Sequence, residues 1–107
     1  MSGNFIKLEV YVPTTHAEDV KTALFAAGAG NIGNYDWCCW QNSGTGQFRP
    51  LEGSNAFIGE CGKIEKVEEI KIELLCTEDK ITEIIAALKK AHPYETPAFQ
   101  YWTVKIN

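Results

Sequence analysis

Glycine is concentrated in one part of this sequence. Eight of the nine glycines in the 107-residue chain lie between Gly28 and Gly62. Because glycine adopts positive φ without steric cost and lets another backbone approach closely, backbone geometry rather than side-chain bulk shapes this stretch. Its aromatic and turn-forming residues predict a strand at residues 35–41, a turn at residues 43–46 and a short returning strand at residues 47–49.

A long connection follows the predicted hairpin. Pro50 ends the returning strand, and residues 51–66 show no sustained hydrophobic period. Connections of this length are uncommon in small proteins, and they are usually functional, mobile or packed on their own side chains. We therefore expect this loop to take part in the function.

Regular strands and helices surround the glycine-rich stretch. Alternating apolar residues predict strands at residues 5–12, 69–76 and 98–106. Val20, Leu24 and Ala27 are spaced as on a helix, with Thr15 and Glu18 as its predicted capping box and Gly28 as its C′ residue.

The second predicted helix has a stronger pattern. Its apolar stripe is formed by Ile81, Ile84, Ile85 and Leu88, and Thr77 or Asp79 is the predicted N-cap. His92 and Pro93 end the helix.

The order of these elements is β-α-β-(β)-β-α-β, which predicts an α+β, ferredoxin-like (split βαβ) antiparallel sheet with two helices on one face. The helices cover one face only. The uncovered face is predicted to carry five apolar side chains, and we expect another copy of the chain to cover them: Phe5, Tyr11, Leu75, Phe99 and Tyr101.

Composition narrows the class of protein. The length of 107 residues predicts a single domain spanning residues 1–107. The net charge of −4 and the absence of a basic stripe argue against nucleic acid as a partner. No apolar run is long enough to span a membrane, and the N-terminal sequence does not resemble a signal peptide. We expect a cytoplasmic protein with four reduced cysteines.

Two stretches carry a family resemblance. Residues 33–73, which begin GNYDWCCWQNSGTGQFRP, and residues 91–104, AHPYETPAFQYWTV, resemble the insertion domain of the NGG-interacting-factor-three family, also called GTP cyclohydrolase 1 type 2-like proteins. The run His92-Pro93-Tyr94-Glu95 followed by Pro97 is similar to the corresponding segment of CutA proteins. The resemblance implies a free-standing PII/CutA-like domain that forms a homotrimer. It implies no hydrolase activity, because the two-metal site of that family lies in a flanking domain that this chain lacks.

His92 and Glu95 are the candidate metal ligands. An imidazole and a carboxylate three residues apart suit Zn or Cu, and CutA-like proteins are associated with divalent metals. Alternatively, His92 and Pro93 end the helix while Tyr94 to Pro97 form a rigid turn before the last strand. We favour the structural alternative.

The cysteines, glycines and acidic residues offer weaker candidates. Cys38 and Cys39 point to opposite faces of a strand, Cys76 completes an apolar stripe, and Cys61 is expected to be exposed. The glycines could cradle a phosphate, although no P-loop or dinucleotide motif is present. Three acidic residues and a second histidine show no catalytic pattern: Asp36, Glu52, Glu60 and His16.

Two function classes remain. The first is a trimeric binding or regulatory domain without catalytic activity, which holds a small molecule, divalent metal or protein partner through residues 44–62 and the turn at residues 92–95. The alternative is a metal-dependent enzyme whose site forms between subunits from His92, Glu95 and a loop carboxylate. An RNA-binding domain is disfavoured by the acidic charge and the lack of an aromatic RNA-binding strand motif.

Overall fold

The computed structural model describes residues 4–106 and contains four strands and two helices. In chain order they are β1 (Phe5–Pro13), α1 (Ala17–Ala26), β2 (Trp40–Phe48), β3 (Glu65–Thr77), α2 (Ile81–Ala91) and β4 (Phe99–Val104). Short 3-10 turns, Thr14–His16 and Glu78–Lys80, precede the two helices. The irregular segment between β2 and β3, residues 49–64, is called the long loop below.

The four strands form one antiparallel sheet in the order β2-β3-β1-β4. Both helices pack on the same face of this sheet, because their buried residues form a single core with the buried residues of β1 and β3. This order and this layering are those of the ferredoxin-like arrangement, so the predicted fold class is confirmed. Within residues 4–106, neither helix has the length and apolar character needed to cross a membrane.

The core lies between the helices and one face of the sheet. The predicted alternation of β1 and β3 is confirmed: alternate residues of both strands are buried, together with Val20 and Leu24 of α1 and Ile84 and Leu88 of α2. Gly28 follows α1 with φ 107°, and its N–H bonds to the carbonyl of Phe25. This bond is part of a Schellman ending, so the predicted C′ role of Gly28 is also confirmed.

The predicted hairpin between residues 35 and 49 is wrong. Residues 40–48 form the single straight strand β2, which pairs with β3 along its whole length. Neither Gly44 nor Gly46 adopts a positive φ. The reason is that β3 begins at Glu65 rather than at Glu69, so it offers backbone partners to all of β2. Tertiary pairing therefore overrides the turn composition.

The predicted side-chain caps are also wrong. Each helix begins with a 3-10 turn, and neither Thr15 nor Thr77 makes a side-chain cap bond. Thr15 Oγ1 lies 2.9 Å from His16 Nδ1 instead, and Glu18 pairs with Lys21 at 2.7 Å. The N-cap of α2 is Lys80, not Thr77 or Asp79. In both cases the 3-10 turn moves the helix start past the predicted capping residue.

The register of β4 corrects the predicted uncovered face. Phe99 lies opposite Val10 and Tyr101 opposite Leu8, so both side chains lie on the face that the helices cover. Phe5 lies on the uncovered face as predicted, together with Lys7, but its side chain is buried. Alternation alone cannot choose the face of an edge strand, because a shift of one residue reverses every side chain.

The middle of the uncovered face is charged rather than apolar. Lys7 Nζ lies 3.0 Å from Glu73 Oε1, and Lys71 Nζ lies 3.4 Å from Glu9 Oε1. The hydrogen bond from Lys7 lowers the pKa of Glu73 below its ordinary value. Apolar side chains occupy the ends of this face, including Trp40, Trp102 and Leu75 at one end.

Candidate functional site

A cavity of about 460 Å³ lies between the long loop and the turn that follows α2. It is called the loop–turn cavity below. Its walls combine residues from β1, the end of β2, β3, the long loop and the turn. Because β2 and β3 run side by side to the end of the sheet, the loop that joins them folds back beside the turn.

The polar floor of the cavity is a contact between Glu69 of β3 and Tyr94 of the turn. The Tyr94 hydroxyl donates a hydrogen bond of 2.9 Å to Glu69 Oε2. Burial and this bond together raise the pKa of Tyr94, so the phenol stays protonated and remains a donor. The contact joins two segments that are 25 residues apart in sequence.

Gly46 makes room for the Glu69 carboxylate. A Cβ placed on Gly46 would overlap both carboxylate oxygens of Glu69, whereas a Cβ on Gly44 would meet nothing within 4 Å. The missing side chain of Gly46 therefore leaves the space that the Glu69 carboxylate occupies, and Gly46 is not part of a turn. The sequence signals this only as an unexplained glycine within a strand.

His92 is buried and fixes the turn. Its Nε2 donates a 2.7 Å hydrogen bond to the carbonyl of Tyr11, and its Nδ1 accepts a 3.1 Å bond from the N–H of Tyr94. These two bonds require the neutral ring with its proton on Nε2. Burial lowers the pKa of His92, which also favours the neutral form.

The predicted metal ligands His92 and Glu95 lie at this turn, but both already form hydrogen bonds within the protein. Both ring nitrogens of His92 are hydrogen-bonded, and Glu95 Oε2 accepts a 2.9 Å bond from the N–H of Asn55. No group of three potential metal ligands is found within residues 4–106. A Zn or Cu ion at His92 would have to displace a backbone bond, so the metal site stays a prediction and the geometry favours the structural alternative.

The long loop is partly packed. The bond from Asn55 to Glu95 ties its middle to the turn, and the N–H of Gly62 bonds to the carbonyl of Pro50 at 2.8 Å. The Phe57 ring lies 5.3 Å from the ring of His16, between ring centroids. Leu51 remains 65% exposed. The loop thus has fixed points at both ends and in the middle, with exposed side chains between them.

The other predicted candidates lie outside the cavity. Cys39 and Cys61 are exposed, Cys38 is half-buried, and Cys76 is in the core, where burial raises its pKa to about 12. The inert, buried role predicted for Cys76 fits this position, and the exposed position predicted for Cys61 is confirmed. Asp36 and Glu52 are exposed.

The glycines after α1 have structural roles. The N–H of Gly30 bonds to the carbonyl of Leu75 at 2.8 Å, and its carbonyl accepts a bond from the N–H of Cys38. A Cβ on Gly30 would lie 2.7 Å from the carbonyl oxygen of Cys38. Gly30 therefore docks this segment against β3, and its backbone groups are already used.

Comparison with known proteins agrees with this fold. The family model of the CutA1 divalent ion tolerance protein matches residues 60–107. A GTP cyclohydrolase 1 type 2 homolog from Halalkalibacterium halodurans is 51% identical over 96 residues, which are 90% of this chain and 26% of that protein. The homolog from Bacillus subtilis is 42% identical over 99 residues, again 26% of its length. The chain thus spans about a quarter of the length of these relatives.

Solved structures of proteins related to these two groups have the same fold as this chain. A Bacillus cereus protein related to NIF3 superposes with a TM-score of 0.83 and 40% identity, covering 99% of this chain and 27% of that one. The periplasmic divalent cation tolerance protein CutA from Archaeoglobus fulgidus superposes with a TM-score of 0.68 over 96% of this chain and 86% of its own, at 19% identity. The second likeness concerns the fold alone. The chain therefore has a CutA1-like fold and is similar in sequence to one segment of the GTP cyclohydrolase 1 type 2 homologs and of the NIF3-related protein, the resemblance that its sequence predicts.

Proposed function

We propose that residues 1–107 form one binding or regulatory domain without catalytic activity, which assembles as a homotrimer and holds a small ligand in the loop–turn cavity. The observation that carries this proposal is the cavity itself. Its volume of about 460 Å³ is within the range of small-molecule sites, and its wall exposes more apolar than polar surface.

The absence of catalysis is inferred from the chemistry of the cavity. The hydroxyl of Tyr94 is engaged by Glu69, and both nitrogens of His92 are engaged by backbone groups. A nucleophile beside a general base would be expected of an acyl-transfer or hydrolytic site, and the lining residues include no cysteine, serine–histidine pair or lysine.

Self-association is inferred from the surface of the sheet. Trp40 and Trp102 are 61% and 45% exposed at the same end of the uncovered face. Strand β2 is an edge strand of nine residues without charge or proline, which leaves its backbone unprotected against pairing with another strand. Copies of the same chain would cover both features, and the resemblance to PII/CutA-like proteins gives the number three.

Sedimentation at micromolar concentration tests the assembly, with three times 11.9 kDa as the expected mass. Trp40→Lys should weaken the trimer, because it places a charge on the uncovered face. Tyr35→Lys is the matched control, since Tyr35 is 75% exposed outside the sheet. A monomeric parent protein, or equal effects of the two variants, would contradict the proposed assembly.

Ligand binding is tested separately by thermal melting against a library of small organic compounds. A bound compound should raise the melting temperature, because it binds only the folded state. The loop–turn cavity should then be located by the loss of that shift in Phe57→Ser. A library without any stabilising compound, or a shift that Phe57→Ser retains, would contradict the cavity as the binding site.

A further inference from the structure

Aromatic rings form the side walls of the loop–turn cavity. The ring of Tyr94 lies 5.6 Å from that of Phe48 in an edge-on arrangement and 6.4 Å from that of Phe57 in a tilted one, between ring centroids. All three rings line the cavity. Aromatic side chains arranged at such angles favour a flat ring as the occupant, because it can meet both ring faces and ring edges.

The carboxylate of Glu69 supplies the acceptor at one end. Its Oε2 accepts the bond from Tyr94, while its Oε1 occupies the space that a side chain on Gly46 would fill. Both Glu69 and Gly46 line the cavity. An ionised carboxylate has about four acceptor positions and no donor, so the group that it recognises in a ligand must carry N–H or O–H.

Arg49 supplies a cation at the other end. It is the only arginine of the chain, it lines the cavity, and it forms no ion pair within residues 4–106. Arg49 follows the residue paired with Glu65, whereas Glu69 is paired with Gly44. Arg49 is five residues beyond Gly44, so the backbones of Arg49 and Glu69 are separated by about 16 Å along the direction of the strand.

We infer that the loop–turn cavity takes a planar aromatic ring that carries an N–H donor at one end and an anionic group at the other. This inference rests on the proposed binding function and adds the chemical class of the ligand. Glu69 accepts the N–H, the three aromatic rings hold the plane, and Arg49 pairs with the anion. The anion can be a carboxylate or a phosphate, and the two sources are separated by experiment.

Two probes represent the two anions. Indole-3-acetate has a ring N–H and a carboxylate, and GMP has base N–H groups and a phosphate. Calorimetric titration of the full chain should show binding of at least one of them. Removing either group from a probe should lower its affinity about tenfold, because each group accounts for one charge-assisted hydrogen bond. The 1-methyl derivative of indole-3-acetate removes the N–H, and indole-3-acetamide or guanosine removes the anion.

Matched variants locate the two contacts. Glu69→Gln keeps an acceptor for Tyr94 but should abolish the preference for N–H over N-methyl. Glu68→Gln is its control, because Glu68 is the neighbouring residue, makes the same charge change and does not line the cavity. Arg49→Met should abolish the preference for the anion, whereas Lys63→Met, whose lysine pairs with Glu60 in the same loop, should retain it.

The outcomes are distinct. Equal binding of the N-methyl or neutral analogues, or equal effects of Glu69→Gln and Glu68→Gln, overturns the inference. If neither probe binds at millimolar concentration while another compound stabilises the protein through the cavity, the inference is overturned and the proposed binding function stands. If no compound binds in the cavity, both are overturned. Circular dichroism and urea unfolding of each variant verify that it is folded.

Discussion

Replacement of His92 by phenylalanine should destabilise the protein through the turn. The substitution keeps a ring beside Tyr94, whose centroid is 5.1 Å away, but removes both hydrogen bonds of His92. The carbonyl of Tyr11 and the N–H of Tyr94 then lose their partners. Each buried group left without a partner costs about 1–3 kcal/mol. Because these bonds are only partly buried, we expect a total loss of about 2–4 kcal/mol in the free energy of unfolding.

The assay is urea unfolding of parent and variant at one fixed protein concentration, because self-association makes apparent stability depend on concentration. His16→Phe is the matched control. Its Nδ1 contacts only the exposed hydroxyl of Thr15, so the same substitution should change stability by about 0.5 kcal/mol or less. If His92→Phe is as stable as His16→Phe, the two bonds of His92 do not hold the turn and the reasoning is refuted.

The same variant should change the dependence of stability on pH. Burial lowers the pKa of His92 below its ordinary value of 6.5, so the unfolded chain binds this proton more readily than the folded one. Stability is therefore full above pH 6.5 and falls as the pH drops towards the folded-state pKa, by up to about 1.4 kcal/mol per pH unit. His92→Phe should lack this part of the slope. An identical slope in both proteins would show that His92 is not held neutral.

Three further predictions concern other parts of the chain. Gly46→Ala should cost about 1–2 kcal/mol, because its methyl group displaces the carboxylate that accepts the tyrosine bond, whereas Gly44→Ala meets open space and should cost less in the same unfolding assay. Cys76 should stay unreactive towards a thiol reagent at pH 8 until urea unfolds the protein, while Cys61 reacts at once; reaction of all four thiols in the native state would contradict the buried position. Limited proteolysis should cut first within residues 49–64 but slowly, because this loop is bonded to the turn; cleavage within either helix before the loop would contradict that order.

The sequence by itself determined the strands and helices whose apolar residues recur at a regular spacing along most of their length. Strands β1 and β3 and the two helices were predicted because each buries one face in the same core, and burial of that face leaves a period of two or 3.6 residues in the sequence. The C′ role of Gly28 was predicted for a similar reason, since the helix ending requires a positive φ that glycine adopts most readily.

Only the tertiary structure decided the elements at the edge of the sheet. Strand β2 is exposed along most of its length, so burial leaves no period in its sequence, and its extended shape comes from the backbone of β3. The face of β4 was decided in the same way, because its register with β1 places Phe99 beside Val10 on the covered side. Pairing energy belongs to two strands together and cannot be assigned from one of them.

In the candidate site, too, some features were predicted from the sequence and others were decided by the tertiary structure. The turn at His92 and Glu95 was predicted from its local residues, because a proline restricts its own backbone and that of the residue before it. The bond between Glu69 and Tyr94, and the gap at Gly46 that admits it, join three separate parts of the chain. Contacts of that kind are produced by strand order and register, which local sequence patterns do not encode, so only the tertiary structure brought them together.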